Sequence, residues 1–323
     1  MNMRPLDEIR AIYKQPLFSL IKQAREVYEA HWGEEPGIQL CTLLSIKTGG
    51  CSEDCSYCAQ SSHYKTEVES GKLMTAEEVL PIAQKARENG TTRFCMGAAW
   101  KGVKETDARF GTVLDTVRQV SQLGMEVCVT LGSLTEGAAQ QLKEAGVTAY
   151  NHNLDTSPEH YANIVTTHTF EDRVKTIQHV QNAGMAVCCG GIMGMGETEQ
   201  DRMRFLQVLT DLTPAPESIP INCLTAIPGT PLENLPPLDV FELVRMVATT
   251  RILFPRSKVR LSAGRTKLSK EGQALCFFAG ANSIFYGDKL LTAENPGVDE
   301  DKDLLESLGL ESAPQIPVPL CGV

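Results

Sequence analysis

The stretch TAEEVLPIAQKARENGTTRFCM, residues 75–96, contains one complete helix–strand unit. Thr75 and Glu78 have the spacing of a capping box, which predicts that a helix begins here. Gly90 is typical of a helix end, and the apolar run at 92–96 then predicts a buried strand. This stretch therefore indicates an α/β protein, in which helices and strands alternate along the chain.

The same unit recurs on both sides of this stretch. Helices are predicted at 112–123, 133–146, 170–183, 199–212, 240–253 and 271–279, and the strands that follow them at 125–130, 148–151, 185–188, 219–222, 259–261 and 283–286. In the helix at 133–146, Ser133 is the predicted cap, with Glu136 three positions later. With a first strand at 42–46, the chain has about eight βα units, the number in a closed (β/α)8 TIM-type barrel.

The alternative architecture is an open doubly wound sheet. Such a sheet typically carries a G-x-G-x-x-G phosphate loop after its first strand, whereas the loop after 42–46 is rich in cysteine. We therefore predict a barrel at 41–292, a helical extension at 1–40 and a C-terminal tail at 293–323. The tail is rich in acidic residues and lacks a sustained apolar period, which predicts an extended or mobile appendage.

Composition excludes several functional classes. The chain has 323 residues, of which 42% are hydrophobic, enough for a sizeable core. A net charge of −10 argues against nucleic-acid binding. No apolar run approaches the ~20 residues of a membrane span, and residues 1–13 carry no secretion or transit signal. We therefore expect a cytoplasmic protein, in which eleven cysteines favour metal ligation over disulfides.

Three of these cysteines form a C-x3-C-x2-C motif at Cys51, Cys55 and Cys58. Three thiolates at this spacing fit one tight loop and match three irons of a cubane, which leaves the fourth iron without a local protein ligand. An open coordination position is typical of a catalytic metal site. A zinc site would need a fourth ligand, for which His63 is the only nearby candidate, and a ferredoxin-like carrier would need a fourth cysteine.

Three further cysteines, Cys95, Cys128 and Cys188, lie on predicted strands. The sequences GMEVC at 124–128 and GMAVC at 184–188 are near-copies, so two of these cysteines occupy the same point of their units. Because side chains alternate along a strand, Cys128 and Cys188 are predicted to point into the barrel and Cys189 outward. The three are either small core residues or a second set of ligands. The remaining cysteines are interpreted as packing or surface residues: Cys41, Cys223, Cys276 and Cys321.

Polar residues alternate at one strand end. Asn151, Asn153 and Asp155 share one face of the strand at 148–151 and the residues after it. Polar groups from several strands converge at the C-terminal end of a barrel, where catalysis takes place. Turn chemistry at a strand end would explain one such residue but explains three in phase less well.

Six segments, in this order, resemble the biotin synthase family of the radical S-adenosylmethionine superfamily. They are TLLSIKTG at 42–49, TRFCMGAAWK at 92–101, YNHNLDTSPE at 150–159, GGIMGMGET at 190–198, VRLSAGR at 259–265 and AGANSIFYGDKLLT at 279–292. The resemblance implies that dethiobiotin is converted to biotin by sulfur insertion. It also implies a homodimer and a flavodoxin- or ferredoxin-like electron donor.

The resemblance assigns roles around S-adenosylmethionine. The methionyl amine and carboxylate chelate the open iron of a 4Fe-4S cluster at the C-x3-C-x2-C motif, and the segment 190–197 supports the nucleoside. The implied cofactor contacts are Tyr57 with the adenine, the backbone at Ala98 with the amine, Asn153 and Asp155 with the ribose, and Lys47 or Arg173 with the carboxylate. Arg173 alternatively is a solvated helix charge.

The resemblance also implies an auxiliary 2Fe-2S cluster, which donates the sulfur. Its ligands are Cys95, Cys128, Cys188 and Arg260. A guanidinium is normally cationic and a poor metal ligand, so the role of Arg260 comes from the resemblance. The implied substrate contacts are Asn151, Asn153, Asn222 and Thr292, and Ala293 stands where the family often has a second threonine. No catalytic acid or base is expected beyond the cluster ligands.

Two other functions fit parts of this pattern. Another radical enzyme of the superfamily, maturase-like or methylornithine-synthase-like (mutase-like), would share the C-x3-C-x2-C motif but would not require the four auxiliary ligands together. A non-catalytic iron–sulfur carrier would not need the Asn/Asp face of the strand.

Overall fold

Eight parallel strands form a closed ring. The computed structural model describes residues 4–34 and 36–314. Each strand pairs with the next along the chain, and the eighth pairs with the first, so that no open edge remains in the ring. The strands are β1 Gln39–Lys47, β2 Arg93–Ala98, β3 Glu126–Thr130, β4 Ala149–Asn151, β5 Ala186–Cys188, β6 Ser218–Cys223, β7 Lys258–Leu261 and β8 Ser283–Phe285. The predicted (β/α)8 TIM-type barrel is confirmed.

Helices surround this ring. Within the described residues they are α1 Leu6–Tyr13, α2 Leu17–Trp32, α3 Ala76–Glu88, α4 Ala108–Ser121, α5 Glu136–Ala145, α6 Pro158–Tyr161, α7 Phe170–Asn182, α8 Glu199–Asp211, α9 Val240–Leu253, α10 Lys270–Phe278 and α11 Val298–Ser307. Thr75 and Glu78 form the predicted capping box of α3. Helices α1 and α2 pack against α8 and α9, and no helix in the described ranges is long and apolar enough to cross a membrane.

The cap predicted for the fifth helix is wrong. Thr135, not Ser133, is its N-cap, and the Thr135 hydroxyl accepts a hydrogen bond from the backbone N–H of Ala138 at 3.3 Å. Ser133 instead belongs to the short strand Ser133–Leu134, which pairs with Gly102–Val103. Either residue type caps a helix well, so the choice depended on this extra strand pairing.

The prediction of an extended tail is wrong for Val298–Ser307, which forms α11. Leu304 and Leu305 are buried on this helix, and so is Asp301, whose carboxylate pairs with the buried Arg265. The pattern Val298, Asp301, Leu304, Leu305 has helical spacing. One position on the buried face is a carboxylate, which concealed the apolar period in the sequence. Cys321 lies outside the described residues.

Strand register positions the cysteines in the barrel. Cys95 and Cys128 are direct neighbours across β2 and β3, and Cys188 on β5 is opposite Asn151 on β4. The three thiols pack in one buried interior cluster, whereas Phe94, Val127, Val129 and Val187 pack in the larger core that includes the helices. Alternation along the strands therefore separates these thiols from the helix-facing core, as predicted.

Candidate active site

One cavity of about 350 Å³ brings both sets of cysteines together. Its wall includes the loop after β1 at the C-terminal end of the ring, the strand thiols in the interior, and polar residues between them. The predicted site residues that line it are Cys51, Cys55, Tyr57, Cys58, Cys95, Ala98, Cys128, Asn151, Asn153, Asp155, Arg173, Cys188, Asn222, Arg260 and Thr292. Residues from the loop motif, the interior strands and the polar strand ends thus line one shared cavity.

Backbone hydrogen bonds shape the loop that carries the C-x3-C-x2-C motif. The N–H of Cys51 donates to Gln60 O at 2.9 Å, and the N–H of Cys58 donates to Cys55 O at 2.9 Å. Gly49 and Gly50, just before the first cysteine, both have φ of +67°, a conformation that glycine adopts without a steric penalty. The loop therefore turns tightly enough to put three thiols on the cavity wall.

Two carboxylates within the motif anchor this loop to the segment before α7. Asp54 accepts hydrogen bonds from the N–H groups of Thr166 and Thr167, at 2.9 and 3.1 Å. Glu53 contacts His168 and lies 3.3 Å from the ammonium of Lys101. Burial disfavours the Asp54 carboxylate, but its hydrogen bonds to Thr166 and Thr167 outweigh burial and hold its pKa well below the usual range. We name Glu53, Asp54 and their partners at 166–168 the loop clamp.

The chemistry of the loop thiols fits an iron–sulfur cluster. No group of three or more His, Cys, Asp or Glu side chains in the described ranges is spaced to hold a single metal ion. A cubane instead distributes its thiolates over separate irons, which suits three cysteines spread along one loop. The candidate fourth zinc ligand, His63, is exposed, and its Nε2 lies 3.1 Å from Ser52 O.

Burial raises the pKa of all three loop thiols. Neutral thiols bind metals poorly, so metal binding at these residues has to release protons. The same holds in the interior, where a hydrogen bond with Cys128 and burial raise the pKa of Cys95 well above its usual value. At the loop thiols and at Cys95, a bound cationic group would therefore stabilise the thiolate form.

Arg260 lies beside the interior thiols and is fully buried. Its Nη1 is 3.5 Å from Cys188 Sγ, and its Nε donates to the hydroxyl of Ser283 at 2.9 Å. Its Nη2 faces Gln39 Oε1 at 3.3 Å and Cys41 Sγ at 3.2 Å. No carboxylate touches the guanidinium in these contacts. An arginine whose partners are thiols and neutral oxygens differs from the usual ion-paired arginine.

The polar face of β4 lines the wall between the two thiol sets. Asn151 Nδ2 lies 3.2 Å from Cys188 Sγ and 3.3 Å from Asn153 Oδ1. Asn153 Oδ1 also accepts a hydrogen bond from the N–H of Gly190 at 3.0 Å.

Asn222 on β6 donates to Gly191 O at 3.0 Å and accepts from Ala263 N at 3.1 Å. Each amide is oriented by backbone groups and so presents a fixed set of donors and acceptors.

Asp155 connects the loop thiols to this face. It has φ of +66° and is buried, and its Oδ2 accepts hydrogen bonds from Tyr57 OH and Arg173 Nη2, both at 2.9 Å. Arg173 also donates to Asn153 O at 3.0 Å and to Tyr161 OH at 2.7 Å. Burial opposes charge on Arg173, but Asp155 and the nearby phenols and thiols raise its pKa well above the usual value. Arg173 is therefore not a solvated helix charge.

The remaining predicted residues take different positions. The Lys47 ammonium donates to Gly49 O, and Lys47 is not part of the cavity wall described above. The Ala98 carbonyl accepts from Trp100 N at 2.8 Å. Thr292 is exposed at the rim of the cavity, beside Ala293.

Among the other cysteines, Cys189 and Cys276 are buried in the larger core, whereas Cys223 lines the cavity.

Comparisons with known proteins agree with this geometry. The Radical SAM superfamily profile matches residues 45–209, and that of the Biotin and Thiamin Synthesis associated domain matches 220–311. Biotin synthase from Sorangium cellulosum is 58% identical over 93% of this chain and 86% of its own length. The chain belongs to the biotin synthase family. Biotin synthase from Flavobacterium johnsoniae is 54% identical over 94% of this chain and 83% of its own length.

Membership of the biotin synthase family establishes the kind of chemistry. The chain is a radical S-adenosylmethionine enzyme of biotin synthesis, and it therefore uses an iron–sulfur cluster together with S-adenosylmethionine. Solved structures of other proteins show the same fold. Methylornithine synthase (PylB) has a TM-score of 0.80 at 18% identity, covering 96% of this chain and 94% of its own. The maturase HydG from Carboxydothermus hydrogenoformans has a TM-score of 0.79 at 18% identity, covering 95% and 75%.

Several site residues of this biotin synthase family member were missed in the sequence. Gln39, Cys41 and Ser283 contact Arg260, and the clamp residues Glu53 and Asp54 hold the loop. Cys41 is buried, which agrees with its prediction as a packing or surface residue, and its neighbours in the interior cluster are Cys95, Cys128 and Cys188. Cys41 and Leu43 are two positions apart on β1 and so share one face of the strand. This alternation was the signal available in the sequence, since both residues belong to the interior cluster.

Proposed function

We propose that this chain converts dethiobiotin to biotin and takes the sulfur from an auxiliary 2Fe-2S cluster. The observation that carries the proposal is the shared cavity, which is lined both by the loop thiols Cys51, Cys55 and Cys58 and by the interior ligand set. An enzyme that only cleaves S-adenosylmethionine needs the loop thiols. A reaction that also consumes a sulfur atom needs a second sulfur source within reach of the same substrate.

The loop thiols would hold a 4Fe-4S cluster, and S-adenosylmethionine would lie against the adjoining wall. Tyr57 is positioned to contact the adenine, and Asn153 and Asp155 the ribose hydroxyls, since amide and carboxylate oxygens accept such donors. Arg173 is the stronger candidate for the methionyl carboxylate, because it lines the cavity and Lys47 does not. The backbone around Ala98 offers carbonyl groups to the methionyl amine.

The interior ligands would hold the 2Fe-2S cluster, with Cys95, Cys128, Cys188 and Arg260 as its protein donors. Dethiobiotin would lie between the clusters. Its neutral cyclic urea needs both donors and acceptors, which Asn151, Asn153 and Asn222 supply. Thr292 at the rim would bind the substrate carboxylate, and Ala293 provides no second hydroxyl there.

The residues of the chain bind, orient and protect the reactants. When bound, the cubane and S-adenosylmethionine supply a carbon radical that removes hydrogen from the substrate, and the second cluster supplies sulfur. The amide side chains, fixed by their backbone partners, would orient the substrate towards both. The barrel interior would limit the access of water to this radical chemistry. No proton transfer by a side chain is required, so the site needs no catalytic acid or base.

Two alternatives lack comparable support. The likeness to methylornithine synthase and HydG shows the fold alone, at 18% identity. A carrier has no use for oriented amides beside the interior thiols, such as Asn151 at 3.2 Å from Cys188 Sγ. The proposal extends to an external electron donor of the flavodoxin or ferredoxin class, a homodimer and a cytoplasmic location.

The test is an anaerobic single-turnover assay on reconstituted protein with a reductant, S-adenosylmethionine and dethiobiotin. We expect biotin and 5′-deoxyadenosine together, with loss of the visible absorption of the 2Fe-2S cluster. Deoxyadenosine without biotin would reject dethiobiotin as the substrate. Biotin formed while the absorption and the sulfide content stay constant would reject the cluster as the sulfur donor.

A further inference from the structure

The auxiliary site contains one thiol more than its proposed ligands. Cys41 on β1 is fully buried and packs in the interior cluster with Cys95, Cys128 and Cys188. It does not line the cavity, and its nearest polar partners are the Arg260 guanidinium and the Ser283 hydroxyl. Arg260 does line the cavity. The guanidinium therefore lies between Cys41 and the space in which the second cluster would be held.

The guanidinium is held by Gln39, Cys41 and Ser283 and presents one nitrogen, Nη1, to the proposed ligand thiols. Nε is bonded to Ser283, and Nη2 to both Gln39 and Cys41. Only Nη1 faces Cys188 Sγ, at 3.5 Å. Cys41 Sγ lies 3.2 Å from Nη2, which is the adjacent nitrogen of the same planar group. The Cys41 thiol therefore lies beside the part of Arg260 that would bind the second cluster.

We propose that Cys41 is a fourth thiol of the auxiliary site and competes with Arg260 for the same metal position. The inference rests on the proposed function, because it presupposes the second cluster. Thiolates are the preferred ligands of iron in such clusters, and a guanidinium is a poor one. The backbone of Cys41 is fixed by pairing with Arg93 and Phe285 on the flanking strands. The long Arg260 side chain is therefore the part that moves away, and Cys41 replaces it.

The test uses the full chain, reconstituted anaerobically, as parent, Arg260→Ala, Cys41→Ala and the double variant. The readouts are iron and sulfide per chain, the visible absorption and circular dichroism of the second cluster, and its rate of loss to an iron chelator. We expect Arg260→Ala to keep the cluster, with bands shifted towards those of all-thiolate 2Fe-2S centres. We expect the double variant to lose it at least about tenfold faster than Arg260→Ala, a typical effect of removing a metal-site residue.

Cys276→Ala in the Arg260→Ala background is the matched control, because Cys276 is an equally buried thiol outside the interior cluster. It should leave the rate of cluster loss unchanged. Arg260→Leu repeats the comparison if Arg260→Ala does not fold, since leucine fills more of the space beside Phe285.

Three results would overturn the inference. Equal spectra and equal rates of cluster loss for Arg260→Ala and the double variant would show that the Cys41 thiol does not bind the metal. Loss of the second cluster in Arg260→Ala itself would show that Cys41 cannot replace the guanidinium. A parent protein that never acquires a second cluster would reject the proposed function, and the inference with it, whereas the first two results leave the proposed function intact.

Discussion

The thiols on the loop after β1 and the thiols in the barrel interior are positioned by different kinds of structure. Cys51, Cys55 and Cys58 lie within eight consecutive residues, on a loop shaped by its own backbone hydrogen bonds and by the loop clamp. Cys95, Cys128 and Cys188 come from three strands and meet only because the ring closes in one register. A local site can be recognised from spacing, whereas a distributed site depends on the whole fold.

Their surroundings differ in the same way. The loop site is held by carboxylates that accept hydrogen bonds, such as Asp54 with Thr166. The interior site lies above a network of ion pairs at the start of the strands, in which Arg93 contacts Glu126 at 2.8 Å and Glu217 at 2.9 Å. We name these three residues with Lys258 the floor network. The clamp orders one loop, and the floor network joins several strands of the barrel.

The largest expected effect comes from removing a loop thiol. Cys55→Ala should lower the formation of both 5′-deoxyadenosine and biotin at least about a hundredfold, because the remaining two thiolates cannot hold the cubane. Iron analysis and product assays after anaerobic reconstitution measure this. Cys276→Ala is the control for loss of a buried thiol, and retention of deoxyadenosine formation in Cys55→Ala would contradict the assignment.

Removing an interior thiol should separate the two products. Cys128→Ala is expected to lower biotin formation at least about a hundredfold while deoxyadenosine formation falls less than about fivefold, since only the second cluster loses a ligand. Chromatography of both products from the same reaction gives the ratio. If the two products declined in parallel, the loop and interior sites would not have the separate roles proposed for them.

A smaller effect is expected from weakening the loop clamp. Asp54→Asn replaces a carboxylate that accepts from Thr166 and Thr167, and we expect the cubane to be lost to a chelator about fivefold faster. The 2Fe-2S absorption should decay at the parent rate, which distinguishes the two regions. Asp115→Asn, at an exposed helical ion pair, is the control. An unchanged rate of cubane loss would show that the clamp does not stabilise the site.

The smallest effect on the reaction is expected in the floor network, whose contribution is to the stability of the fold. Burial disfavours the charged form of Glu217, but Arg93 and Lys258 outweigh it and lower the pKa of Glu217 from 4.5 to about 2. The ionised carboxylate therefore stabilises the fold above about pH 4.5, and this contribution is lost as the pH falls towards 2. Glu217→Gln should lower the free energy of unfolding by about 2 kcal/mol at neutral pH.

Denaturant unfolding of parent and variant across this pH range measures the effect, with the exposed Glu88→Gln as control. The difference between parent and Glu217→Gln should shrink as the pH falls below about 4.5. A difference that is independent of pH would show that the ion pairs contribute nothing through the charge of Glu217.

Two wrong predictions and one undecided residue share one cause. Ser133 is predicted as the cap where the structure has Thr135, and the tail is predicted to be extended where the structure has α11. Cys41 packs, as predicted, but the sequence does not group it with the other interior thiols. In each case the deciding partner is distant in the chain: Gly102–Val103 for Ser133, Arg265 for α11 and Arg260 for Cys41. Local patterns record the period and the caps of an element but not the neighbour that buries a charge or a thiol.

By itself, the sequence determined the alternation of helices and strands, the loop motif and the inward phase of the interior thiols, because each depends on spacing along a few residues. The tertiary structure decided which side chains meet. It joined both thiol sets in one cavity, arranged Gln39, Cys41 and Ser283 around Arg260, and brought residues 166–168 to the loop. Those contacts depend on barrel closure and strand register, which involve residues far apart in the chain and leave no period in the sequence.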